Sequence, residues 1–264
     1  VISGISGAIE CMSFDANGDL YIGGVFTDLG SADGDYIVKI TDLDGTPTVN
    51  ALGAGTNDSV WAIAIAPNGE VYAGGFFTSA GGVANTSLIA KWNGASWSAL
   101  ATGLTGAGTP SVRSLVFAPN GNLYVGGDFT NADGTYGDYL CYWNGTAFNR
   151  IGIVELSAVV YAIALGSTGA LYVGGHFTNA GGNASADYIA KWTGQKWESL
   201  STGTSGDVYS ITVNSGKVYV GGDFTSAGGL TLTDRIAIWS NGAWQPLDID
   251  LPGTALVRSI LPAS

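Results

Sequence analysis

The side chains able to carry proton-transfer, nucleophilic or metal chemistry are few and scattered. One His, one Met and two Cys occur in 264 residues, whereas catalysis needs convergent groups of matched pKa. His176 stands in a Gly-Gly-His-Phe-Thr segment whose counterparts carry Val25, Phe76, Asp128 and Asp223 at the same place. If equivalent positions of successive repeats form a ring, Asp128, His176 and Asp223 could converge on a metal; the alternative is a strand end that accepts any side chain. Asp28, Asp33 and Asp35 crowd one loop, and Asp133 and Asp138 recur in another. Oxygen-rich loops suit Ca2+, but the spacing matches no EF-hand order, and solvated carboxylates capping nearby N–H groups are the alternative. Asp138, Asp187 and Asp234 read as such caps. Cys11 and Cys141 fall where other repeats place Ala, Ser or Val, so they read as small apolar side chains rather than as a nucleophile or a disulfide. The Gly-rich stretches lack a Gly-Lys-Ser/Thr ending. The expectation is a chain that is not an enzyme and has no cofactor, with Ca2+ as the one ion its loops would suit.

A different position carries binding chemistry. The second residue of each repeat's first apolar segment is Glu10, Trp61, Arg113, Tyr161, Tyr209 and Arg258 in turn, large or charged among small apolar neighbours. Aromatic faces beside Arg and Glu are what sugar or peptide recognition uses. If the first strand lines a central channel, these six form a ring at its mouth. The alternative is a solvent-facing pleat that merely fills the opening.

The elements that must position this ring follow from the repeat. Diglycines at Gly23-Gly24, Gly74-Gly75, Gly126-Gly127, Gly174-Gly175 and Gly221-Gly222 recur at spacings of 51, 52, 48 and 47 residues. Each unit holds four apolar segments, as in Val160–Leu165, Leu171–Phe177, Tyr188–Trp192 and Trp197–Leu200, separated by turn signals. Four short strands joined by tight turns make one antiparallel meander. Such a meander cannot bury both faces alone, and strand-only units of this length stack radially into propellers. The fold class is therefore all-β, a five-bladed β-propeller of four-stranded blades of about 47–52 residues forming one domain over 1–264. Its repeat units are residues 9–59, 60–111, 112–159, 160–207 and 208–256, and the sixth copy of the first strand, 257–261, reads as a closing strand.

Charged residues are 11% of the chain, the formal net charge is −12, and no Lys/Arg cluster exists, so nucleic acid is not an expected partner. The longest near-continuous apolar run, Ala158 to Leu165, is far short of a bilayer span, so no membrane insertion is expected.

Leu123-Tyr-Val-Gly-Gly-Asp-Phe-Thr130 followed by Tyr142-Trp-Asn-Gly145 resembles a kelch-type repeat, with its diglycine and spaced aromatic pair, here Trp92/Trp97, Trp143/Phe148, Trp192/Trp197 and Trp239/Trp244. Closer is the resemblance to the Gly-Gly-x-Phe-Thr-x-Ala-Gly-Gly repeats of bacterial and viral surface proteins and of fungal cortical polarity markers, seen in Phe76–Gly82 and Asp223–Gly229. The first unit departs from it, with Ile40 in place of the first Trp. The resemblance implies an extracellular, cell-surface or virion display module: a structural or adhesion propeller engaging protein neighbours, with a lectin-like, glycan-binding propeller as the alternative.

Overall fold

The computed structural model describes residues 5–30, 33–130, 132, 137–231, 233–247, 251 and 255–261. Among the described residues, twenty strands form five four-stranded sheets. The first contains β1 (Ile9–Phe14), β2 (Leu20–Gly24), β3 (Ile37–Thr41) and β4 (Thr48–Ala51). The second contains β5 (Val60–Ile65), β6 (Val71–Gly75), β7 (Ile89–Trp92) and β8 (Trp97–Ala99). The third contains β9 (Ser111–Phe117), β10 (Leu123–Asp128), β11 (Leu140–Trp143) and β12 (Phe148–Arg150). The fourth contains β13 (Val160–Leu165), β14 (Leu171–Gly175), β15 (Ile189–Trp192) and β16 (Trp197–Ser199). The fifth contains β17 (Val208–Asn214), β18 (Lys217–Gly222), β19 (Ile236–Ser240) and β20 (Ala243–Gln245). In every sheet the spatial order is the sequence order and each pairing is antiparallel, so each blade is a simple meander and the chain is a five-bladed β-propeller.

Local chemistry explains the tight first turn of each blade. In Asp15-Ala-Asn-Gly-Asp19, Gly18 adopts φ +83°, a conformation that costs glycine nothing, and the Asp15 carboxylate accepts the N–H groups of Asn17 and Asp19 at 2.9 and 3.0 Å. The repeated Phe of Gly-Gly-x-Phe-Thr anchors each blade: Phe26, Phe77, Phe129, Phe177 and Phe224 are all buried.

Blades meet through one recurring joint, in which the first valine of a blade sits on the first glycine of the preceding diglycine. A methyl group on Gly23 would come within 2.7 Å of Val60 Cγ1, and one on Gly126 within 2.6 Å of Val160 Cγ1. Gly74 faces Val112, and Gly174 faces Val208, in the same manner. Diglycine is thus the groove that lets neighbouring sheets close-pack. Residues 255–261 form no strand ladder, yet Val257 takes the same seat on Gly221, and its N–H donates to the Gly222 carbonyl at 3.2 Å. The free face of β1 differs from its counterparts. Val60, Val112, Val160 and Val208 are fully buried, whereas Ile9, Met12 and Phe14 are 39%, 64% and 60% exposed.

Candidate functional site: the channel mouth

In every blade the first strand carries a β-bulge at one place. Ile9 pairs with Gly24 and Cys11 with Gly23, leaving Glu10 as the extra residue. Trp61, Arg113, Tyr161 and Tyr209 are the extra residues of the other four blades. A bulge re-aims the side chain it inserts, and here the five inserted side chains share the lining of one cavity. The second glycine of the diglycine makes room for the backbone just before the bulge: a side chain on Gly75 would collide with the Ser59 carbonyl.

The six ring residues come together, lining one cavity of about 540 Å3 with Ile9 and Ser259. Five of them form a continuous ladder. Trp61 stacks on Phe76 with ring centroids 6.1 Å apart. The Arg113 guanidinium lies 4.2 Å from the Trp61 ring and 5.6 Å from Tyr161. Tyr161 and Tyr209 are 5.0 Å apart, and Arg258 lies 5.5 Å from Tyr209. Beyond the Trp61–Phe76 contact, which lies within the second blade, each step joins one blade to the next, the last reaching from the fifth blade to Arg258, and guanidinium over an aromatic face is attractive. Burial pushes the Arg113 guanidinium below its ordinary pKa, and its buried Nε has no hydrogen-bond partner. Burial, and then the Asp223 and Asp207 carboxylates, push the Tyr209 phenol up to about 12. The Tyr209 hydroxyl donates to Asp223 at 3.3 Å.

The other candidates are placed differently. His176 Nδ1 meets Asp207 at 2.6 Å, a partner that lies 31 residues on, just before the next blade, and that the sequence did not single out. Asp223 serves Tyr209 instead. Among the described residues no group of three His, Cys, Asp or Glu side chains could hold a metal ion, so Asp128, His176 and Asp223 do not form the trio their alignment suggested. The loop aspartates brace backbone: Asp35 accepts the Asp28 N–H and Asp187 the Asn179 N–H, each at 2.8 Å, while Asp234 meets Arg235 Nη1 at 2.8 Å. Asp133 lies outside the described residues. Neither Cys11 nor Cys141 is in a disulfide, and burial raises the Cys11 thiol to about 12.

Residues 95–217 match the family model of the Rax2 C-terminal β-propeller domain. No curated protein matches the chain. Among solved structures, a catalytically inactive virginiamycin B lyase from Staphylococcus aureus in complex with quinupristin is 15% identical, with a TM-score of 0.57 over 94% of this chain and 73% of that one. YCF48 bound to a D1 peptide is 13% identical, with a TM-score of 0.54 over 93% of this chain and 68% of that one. The extracellular domain of a hybrid two-component system from B. thetaiotaomicron is 11% identical, with a TM-score of 0.55 over 89% of this chain and 28% of that one. These similarities show the fold. They also correct the expectation that the chain is not an enzyme: a lyase is built on a propeller, so the fold does not exclude catalysis. No helix among the described residues is long and apolar enough to cross a membrane. By sheet topology, repeat and similarity, the chain is a β-propeller of five blades that resembles the Rax2 propeller domain across its middle.

Proposed function

We propose that this propeller is a surface recognition module that engages a protein neighbour at its channel mouth. The observation that carries the reading is the ladder of Trp61, Arg113, Tyr161, Tyr209 and Arg258 around one cavity. Trp, Tyr and Arg are the residue types that dominate the energetics of protein interfaces, most of all when clustered in a desolvated pocket. Ligand cavities generally combine apolar walls with a few placed polar groups, and Glu10, Arg113 and Arg258 supply those groups here. Extracellular placement is part of the proposal and is supported by neighbours that are extracellular domains.

The test is a displayed peptide library and a glycan array, each probed with the wild-type chain and with Trp61→Ala. Peptides retained by the wild type and lost in the variant support the proposal. Glycan binding with the same loss reassigns the mouth to a lectin site, and binding of neither overturns both.

One observation favours a second reading, catalysis at the rim of the same mouth. His176 is exposed and held by Asp207 at 2.6 Å, and Asp207 in turn contributes to the raised pKa of Tyr161 and Tyr209. An imidazole oriented by a carboxylate is a general acid–base pair in form. Turnover of any member of a lactone and glycoside panel that disappears in His176→Gln would support this reading; no turnover would sink it.

A further inference from the structure

A second cavity, of about 330 Å3, lies between the third and fourth blades, away from the channel mouth, and is lined by Asn120, Asn122, Tyr124, Tyr142, Arg150 and Trp192 among others. The repeats act as internal controls for it. In each blade a tyrosine of the second strand pairs with one residue of the third strand: Lys39, Lys91, Tyr142, Lys191 and Ile238 in turn. In three blades that residue is a lysine closing an ion pair: Lys39 with Asp19 at 2.8 Å, Lys91 with Glu70 at 2.8 Å, and Lys191 with Glu198 at 3.1 Å. The third blade replaces both partners of the Lys91–Glu70 pair, with Tyr142 in the lysine's place and Asn122 in the glutamate's. An ion pair that covers the strand edge is thereby exchanged for two tyrosine rings, 5.9 Å apart and inclined at 58°, next to side-chain amides and a guanidinium.

The blade boundary behind this groove differs as well. Trp97 Nε1 donates across the first boundary to the Leu52 carbonyl at 2.7 Å, and Trp244 Nε1 across the fourth to Leu200 at 2.9 Å. Trp197 Nε1, at the third boundary, is buried with no hydrogen-bond partner. The neighbouring Gly152, where a methyl group would lie 3.2 Å from that nitrogen, lines the groove.

We infer that this groove is a saccharide-binding site distinct from the channel mouth. Sugars present flat C–H faces that lie on aromatic rings, together with hydroxyls that pair with amides and guanidinium groups. Tyr124, Tyr142 and Trp192 offer the rings, while Asn120, Asn122 and Arg150 offer the polar partners. Among the described residues the lining carries no carboxylate, in a chain with 21 acidic residues, so no anionic group of the lining opposes an acidic sugar such as a uronic acid.

The experiment titrates the full chain with free hexoses, N-acetylhexosamines and uronic acids at tens of millimolar, reading the Trp192 indole N–H and the tyrosine ring resonances by NMR. The key variant, Asn122→Glu/Tyr142→Lys, installs the ion pair of the second blade and so keeps the repeat's own architecture; its thermal midpoint reports that it folds. The expected result is a perturbation centred on Trp192, at least about tenfold weaker in this double variant and unchanged in Trp61→Ala. A panel with no responding sugar, or a response that survives the double variant, overturns the inference. A response abolished by Trp61→Ala also overturns it and places the sugar at the channel mouth.

Discussion

Arg113 owes its conformation to two rings on neighbouring blades, and this makes its contribution separable from its charge. Arg113→Ala should lower stability by about 1 kcal/mol, a fall of about 2–4 °C in the thermal midpoint of a domain this size. Arg113→Lys should recover little, because an ammonium has no flat face to stack between Trp61 and Tyr161; full recovery would show that charge alone matters. Tyr209 offers a second check, since an ultraviolet titration compared with Tyr209→Phe should assign it a phenol ionising at about pH 12. Glu10, Trp61, Arg113, Tyr161, Tyr209 and Arg258 stood out in the sequence because they vary in type where their neighbours are held small, and they line one cavity. That the first five are bulge residues was not legible, although the diglycine opposite was the signal for it. The His176–Asp207 pair was hidden because its partners lie 31 residues apart, at a strand end and in the connection to the next blade, a contact that alignment of each repeat with the next does not display.

At the scale of the strand and its neighbour, the valine-on-glycine joint gives the clearest prediction. Gly126→Ala places a methyl group 2.6 Å from Val160 Cγ1 and should destabilise by about 1–3 kcal/mol, as overpacking of a filled site does. Adding Val160→Ala should return part of that loss, so a double-mutant cycle read by urea denaturation should show favourable coupling between the two changes. Additive losses would mean that the joint is not a steric lock. The four strands of each blade could be read from spacing and turn residues, since Gly-Gly recurs in every unit and Asn-Gly, Asp-Gly, Thr-Gly or Ser-Gly pairs mark the turns between strands. The lysine–carboxylate rung could not, because its partners are 20 and 21 residues apart in the first two blades and 7 in the fourth.

For the whole molecule, the net charge of −12 and the paired carboxylates pull in opposite directions as pH falls. Lys91 and Asn68 hold Glu70 below its usual value, and Lys196 and Lys191 do the same for Glu198. Burial would raise Asp15, but the N–H groups of Asp19 and Asn17 and the Lys39 ammonium outweigh it and leave Asp15 lowered. A carboxylate whose native pKa lies below its unfolded value stabilises fully at neutral pH and loses that contribution as pH drops through the native value. Between pH 7 and 5 the easing of self-repulsion should therefore hold or raise the thermal midpoint, and below about pH 4 the midpoint should fall. Glu70→Gln should make the acid limb shallower; an unchanged limb would show that its pair with Lys91 adds nothing. The count of five blades was legible from the diglycines, but the bare face of β1 was not, since exposure there depends on what stands beside Ile9, Met12 and Phe14 rather than on their own types. The joint that binds each blade to its predecessor asks for only a valine on one side and a glycine on the other, and the segment at Val257 shows it working with nothing more than an extended strip of chain. A unit of about fifty residues copied in tandem would thus click onto either end without redesign, which makes circumference a matter of gene duplication, and lets the fastener be inherited unchanged while the side chains it presents diverge.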